Sequence, residues 1–61
     1  MPIIEFDGPV LNKEKKGELA AKLTRAAKEV LPEFQDNSFI VVIKENSADN
    51  VAVGGKLISD K

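Results

Sequence analysis

The sequence predicts an α+β fold: a single βαβ unit with its first two strands parallel, a short C-terminal β-hairpin, and self-assembly into an oligomer. An alternating segment, Pro2 to Asp7, and a β-branched one, Ser38 to Lys44, flank a stretch whose apolar residues recur at helical spacing. A crossover long enough for a helix joins two strands in parallel through a right-handed connection. At 61 residues without a cysteine, the chain has no disulfide to staple a small core, so a partner surface is expected. Residues 1–61 leave room for one domain.

In the first strand Ile4 and Phe6 fall on one side, and Ile3, Glu5 and Asp7 on the other. Pro2 has no N–H to donate, which suits the head of a strand or an edge, and Gly8-Pro9 breaks the run. Asn12 is the expected N-cap of the helix, with Glu14 in a first turn where the macrodipole favours negative charge. Leu19, Leu23, Ala26, Ala27 and Val30 form one narrow, alanine-rich stripe, and Arg25 falls opposite it. Glu18 and Lys22 stand in the favourable i,i+4 order, while Gly17 weakens the first half by up to ~1 kcal/mol relative to alanine. Pro32 ends the helix by biasing Leu31 out of the helical region.

Ser38 to Lys44 is apolar on both faces, the pattern of a strand covered on both sides. Glu45 to Asn50 reads as a loop, Val51 to Val53 as a short strand closed by Gly54-Gly55, and Lys56 to Ile58 as a further short strand. One helix shields only one face of such a sheet. The other would show apolar side chains to water, which again predicts an oligomer.

Hydrophobic residues at 43% and charged residues at 31% describe a globular chain and exclude a disordered or low-complexity one. With no cysteine and no histidine there is no thiolate nucleophile, no histidine base and no Cys/His zinc site, and no metal is expected. The apolar runs Phe39 to Ile43 and Val51 to Val53 are far shorter than the ~18 residues of a membrane span. The Met1 to Glu5 start lacks the basic region and long apolar stretch of a signal peptide, so a cytoplasmic location without a membrane partner is expected. A formal charge of −1 gives no general pull toward phosphate backbones. Lys13, Lys15, Lys16, Lys22, Arg25 and Lys28 do make the helix basic between acidic flanks. A solvated helix face accounts for them more simply than an RNA-binding stripe, and no nucleic-acid partner is expected.

Side-chain chemistry is sparse. Gly54-Gly55-Lys56 lacks the spacing of a phosphate loop, and Asp49, Asn50 and Glu45 lack that of a calcium loop. Glu5 and Asp7 share a strand face and suit a paired acid and base, but an exposed face explains them as well. One group suited to proton transfer near neutrality is left. Removal of Met1 would turn the Pro2 nitrogen from an amide into a secondary amine. Burial in an apolar pocket disfavours the charged form of such an amine and makes it a competent base, and the ring fixes its direction. The plain alternative is that Met-Pro is an ordinary start and Pro2 only begins a strand.

Met1-Pro2-Ile3-Ile4-Glu5, the Asn-capped helix opening Lys13-Glu14, the Ser38 to Glu45 strand and Val51-Ala52-Val53-Gly54-Gly55-Lys56 resemble, in order and spacing, the 4-oxalocrotonate tautomerase family. The resemblance spans nearly the whole chain. It implies a βαβ subunit assembled as a homohexamer, a trimer of dimers, and an isomerase that needs no cofactor. Pro2, freed of Met1, would take a proton from a 2-hydroxydienoate such as 2-hydroxymuconate and return it elsewhere on the conjugated system, giving the α,β-unsaturated ketone. The implied partner is thus a small unsaturated oxo or hydroxy acid. Family arginines bind substrate carboxylates and stabilise enolate charge, and an aromatic near the hairpin keeps the site apolar. This chain departs at all three positions: Leu11 and Ile40 stand where arginines are expected, and Val51 where the aromatic is. Lys13, Lys44 and Lys56 are the candidate anion binders in their place, point charges without the bidentate fork of arginine. The departures point to a different or smaller substrate, or to weak activity on the usual dienol. They also keep open a non-catalytic oligomeric binding or structural module on the same scaffold.

Overall fold

The computed structural model describes residues 1–60. Strand β1 (Ile3–Gly8) leads into helix α1 (Lys13–Val30), a 3-10 turn at Asp36–Ser38, and strand β2 (Ile40–Glu45). A second 3-10 turn at Ala48–Asn50 precedes the hairpin strands β3 (Ala52–Val53) and β4 (Lys56–Leu57). β1 and β2 pair in parallel from Ile3 opposite Ile40 to Gly8 opposite Glu45, and β3 pairs antiparallel with β4. The architecture is the one expected, with small differences at the edges. Strand two begins at Ile40 rather than Ser38 because Asp36, Asn37 and Ser38 coil into a turn, the conformation their short polar side chains favour.

Local chemistry sets the ends of each element. Asn12 caps α1, its Oδ1 accepting the Lys15 N–H at 2.7 Å. At the other end the Leu31 N–H reaches the Ala27 carbonyl at 2.9 Å, and Pro32 cannot continue the ladder. Gly8 ends β1 under the Phe6 ring, where a Cβ would stand only 2.5 Å from Cε2. At the hairpin tip Gly54 and Gly55 have φ of 61° and 83°, the left-handed pair that a type I′ turn requires.

The sheet has one covered and one open face. Ile4, Phe6, Val41 and Ile43 are half-buried on the side of α1. Ile3, Ile40 and Val42 lie on the other face and are 57%, 37% and 37% exposed. Strand two is therefore covered on one side only within the protomer, against the double covering its composition implies. Leu19, Leu23 and Ala27 do face inward, but Ala26 and Val30 are exposed, and Lys16, Ala20 and Leu31 are half-buried instead. The Lys16 stem lies toward the sheet with its Nζ 2.9 Å from Glu45, and the buried stripe is turned toward Lys16, Ala20 and Leu31 from the expected phase. Arg25 is exposed, as its helical phase requires. Phe39 is the one buried side chain among the described residues, with Phe34 edge-on at 6.2 Å between ring centroids.

Candidate active site

Pro2 sits just ahead of β1, and its carbonyl accepts the Ile40 N–H at 3.0 Å. The parallel ladder thus reaches back to Pro2 and fixes it, half-buried, against the start of β2, one residue beyond the buried Phe39. Met1 is 78% exposed, so the bond whose cleavage would free the Pro2 nitrogen is open to solvent.

The other candidate residues lie elsewhere on the protomer. Leu11 is half-buried in the loop between β1 and α1, at the opposite end of the strands; a six-residue strand covers roughly 20 Å. With Phe6, Lys15, Glu18, Leu19 and Lys22 it lines an open groove of about 290 Å³. Lys13 is exposed in the first turn of α1. Lys44 stands on the open sheet face, 3.3 Å from Glu5, and so already has an anion. Val51 is half-buried beside Asp7, Gly8, Pro9, Asn46 and Ile58, its carbonyl accepting the Ile58 N–H at 2.9 Å. Lys56 is exposed on β4. The structure therefore unites Pro2 with Ile40 and leaves Leu11, Lys13, Lys44, Val51 and Lys56 in separate places within one protomer. No hydrogen bond or ion pair among the described residues joins the three lysines to Pro2.

Two consecutive residues matter more than the sequence alone indicates. The Glu45 carboxylate accepts the Leu11 N–H at 3.0 Å and pairs with Lys16 at 2.9 Å. The Leu11 N–H first, and then Lys16, hold its carboxyl below the usual range. Asn46 donates from Nδ2 to Asp7 Oδ1 and to the Gly8 carbonyl, and its backbone N–H reaches the same carbonyl at 2.8 Å. The available signal was positional: an acid and an amide at the carboxyl end of strand two, where a parallel topology brings the connecting loops together.

A proline at position two held at the head of a parallel βαβ unit, with a hairpin beyond the second strand, fits a small tautomerase-type subunit. The chain belongs to the tautomerase family, matching the family described as "Tautomerase enzyme" over residues 2–61. The crystal structure of DmpI from Archaeoglobus fulgidus is 39% identical with a TM-score of 0.83, the match covering 97% of this chain and 100% of that one. That of a 4-oxalocrotonate tautomerase homologue is 34% identical with a TM-score of 0.86, covering 100% and 97%. YwhB, described as a homologue of 4-oxalocrotonate tautomerase, is 31% identical with a TM-score of 0.85, covering 98% of each chain. A search of curated protein sequences finds no match.

Proposed function

We propose that this chain, once Met1 is removed, is a tautomerase in which the Pro2 nitrogen is the general base. The observation that carries the reading is Pro2 itself, held at the head of β1 by the 3.0 Å bond from Ile40 in a chain of the tautomerase family. The freed secondary amine takes the hydroxyl proton of an unsaturated 2-hydroxy acid and returns it to carbon further along the conjugated system, leaving the 2-oxo acid. Apolar neighbours such as Ile40 favour the neutral amine and so the base. Leu11 and Ile40 carry no charge, and burying an unpaired second carboxylate against either would cost several kcal/mol. The substrate is therefore smaller than, or different from, a dicarboxylate such as 2-hydroxymuconate, which serves as a slow probe. Lys13, Lys44 and Lys56, from the same or a neighbouring subunit, are the anion binders in this reading.

The proposed working form is a homo-oligomer, a hexamer of three dimers. The open Ile3, Ile40 and Val42 face supports it. A 4-oxalocrotonate tautomerase of the same fold from Chloroflexus aurantiacus, 23% identical with a TM-score of 0.84, is a heterohexamer. The reaction needs no cofactor and no nucleic acid. Among the described residues no helix is long and apolar enough to cross a membrane, and we place the reaction in the cytoplasm.

Intact mass spectrometry together with ketonisation kinetics on 2-hydroxymuconate tests the base. The mass should lack Met1, and Pro2→Ala should lower kcat/KM by roughly 100-fold or more. Equal inactivity of the processed wild type and the variant across several dienols would favour a non-catalytic binding module, the reading that the uncharged Leu11 and Ile40 positions support.

A further inference from the structure

The loop joining β1 to α1 is held from both ends by the residues that close β2. Asn46 holds its start through Asp7 and the Gly8 carbonyl. Glu45 holds its end, accepting the Leu11 N–H at 3.0 Å while Lys16 stands 2.9 Å from the same oxygen. Leu11 otherwise lies in the four-residue connection 9–12 with Pro9 and Val10 exposed, so the packing of those two does little to fix its backbone. A backbone N–H to a carboxylate is a charge-assisted bond, among the stronger fixed restraints available to a surface loop. The lysine neutralises the carboxylate and restrains its rotamer.

We propose that Glu45 is a positioning residue for the reaction. Through the Leu11 N–H it sets where the Leu11 side chain stands and so, in the proposed oligomer, what Leu11 presents to a substrate held at the Pro2 of a neighbouring subunit, its own Pro2 lying at the opposite end of the strands. This rests on the tautomerase reading above, in which Leu11 is a substrate contact. Glu45 touches no reacting atom in this account. Its loss moves Leu11 and weakens substrate binding, while proton transfer at Pro2 proceeds once substrate is bound.

The test uses the processed full chain, 2-hydroxymuconate as the probe, and amide hydrogen exchange at Leu11 as a readout independent of turnover. Glu45→Ala should raise KM by about tenfold with kcat changed less than about threefold, and should speed exchange at the Leu11 amide. Glu45→Gln keeps an oxygen for that N–H and should restore most of the wild-type KM and the slow exchange. Lys16→Met leaves the acceptor in place but frees its rotamer, so KM and Leu11 exchange should rise together in it if they rise at all, and faster exchange at wild-type KM in that variant overturns the proposal should Glu45→Ala fold poorly. Wild-type KM or wild-type Leu11 exchange in Glu45→Ala overturns the proposal, as does a folded Glu45→Gln that behaves like Glu45→Ala. A turnover insensitive to Pro2→Ala overturns the tautomerase reading instead, a result that the exchange measurement does not register.

Discussion

Glu45 is a carboxylate with its side chain about one-third exposed (31%), yet its titration is tied to the fold. Its folded-state value lies below the ordinary one, chiefly because ionised oxygen receives the Leu11 N–H and secondarily because Lys16 adjoins it. The linkage has a definite sign. A carboxyl whose value is depressed on folding binds fewer protons in the native state, so its contribution is complete above the unfolded value near pH ~4.3. That contribution fades as the pH falls through the depressed folded value. Glu45→Gln imitates the protonated side chain, and comparison with it cancels what the other carboxylates contribute. Thermal unfolding should therefore find wild type above Glu45→Gln at pH 7, with the gap closing below about pH 4. A gap independent of pH would show that the charge of Glu45 contributes nothing to the fold.

Helix α1 shows what a local reading captures and what it misses. Both ends are written in single residues: Asn12 supplies the cap at 2.7 Å, and Pro32 the stop. Asn12→Ala should accordingly cost about 1 kcal/mol, measured by urea unfolding at one fixed protein concentration so that assembly does not shift the midpoint. Strand faces were legible for a similar reason, since a period of two in Ile3 to Asp7 leaves no choice of phase. The phase of the helix was less well determined. Ala20, Ala21, Ala26 and Ala27 discriminate weakly between faces, so the rotation follows packing against the sheet, which a local reading does not see. Pro2 stands out in the sequence as the proposed base because elimination of histidine and cysteine leaves few bases, and a proline at position two is chemically distinctive. The role of Glu45 does not, because its bond to Leu11 joins residues 34 apart in sequence. Ser38, the last residue of the turn at Asp36–Ser38, was likewise absorbed into a strand whose apolar run begins only at Phe39.

At the scale of the molecule, the protomer is too open to be a finished structure. It exposes 4832 Å², whereas a compact 6.6 kDa monomer would expose about 3,900 Å². Its Cα radius of gyration is 14.8 Å, against about 10.5 Å for a compact chain of this length. The excess has two visible sources: the uncovered face of Ile3, Ile40 and Val42, and a hairpin region where Val53, Leu57 and Ile58 are 71%, 39% and 47% exposed. Apolar area left in water is worth about 25 cal/mol per Å² when covered, and a second copy offers the same surfaces in return. Sedimentation velocity at micromolar concentration should therefore show an assembly without free monomer. Val42 lies in the middle of the open face and outside the residues assigned to Pro2 and its substrate, so Val42→Glu tests the interface directly. A buried charge with no partner should split the assembly into smaller species and lower the thermal midpoint. Activity should fall in step if neighbouring subunits complete the site, since one protomer keeps Pro2 apart from every candidate anion binder. A wild type that sediments as a stable monomer would overturn the argument, because its fold would then have to stand on a single buried phenylalanine.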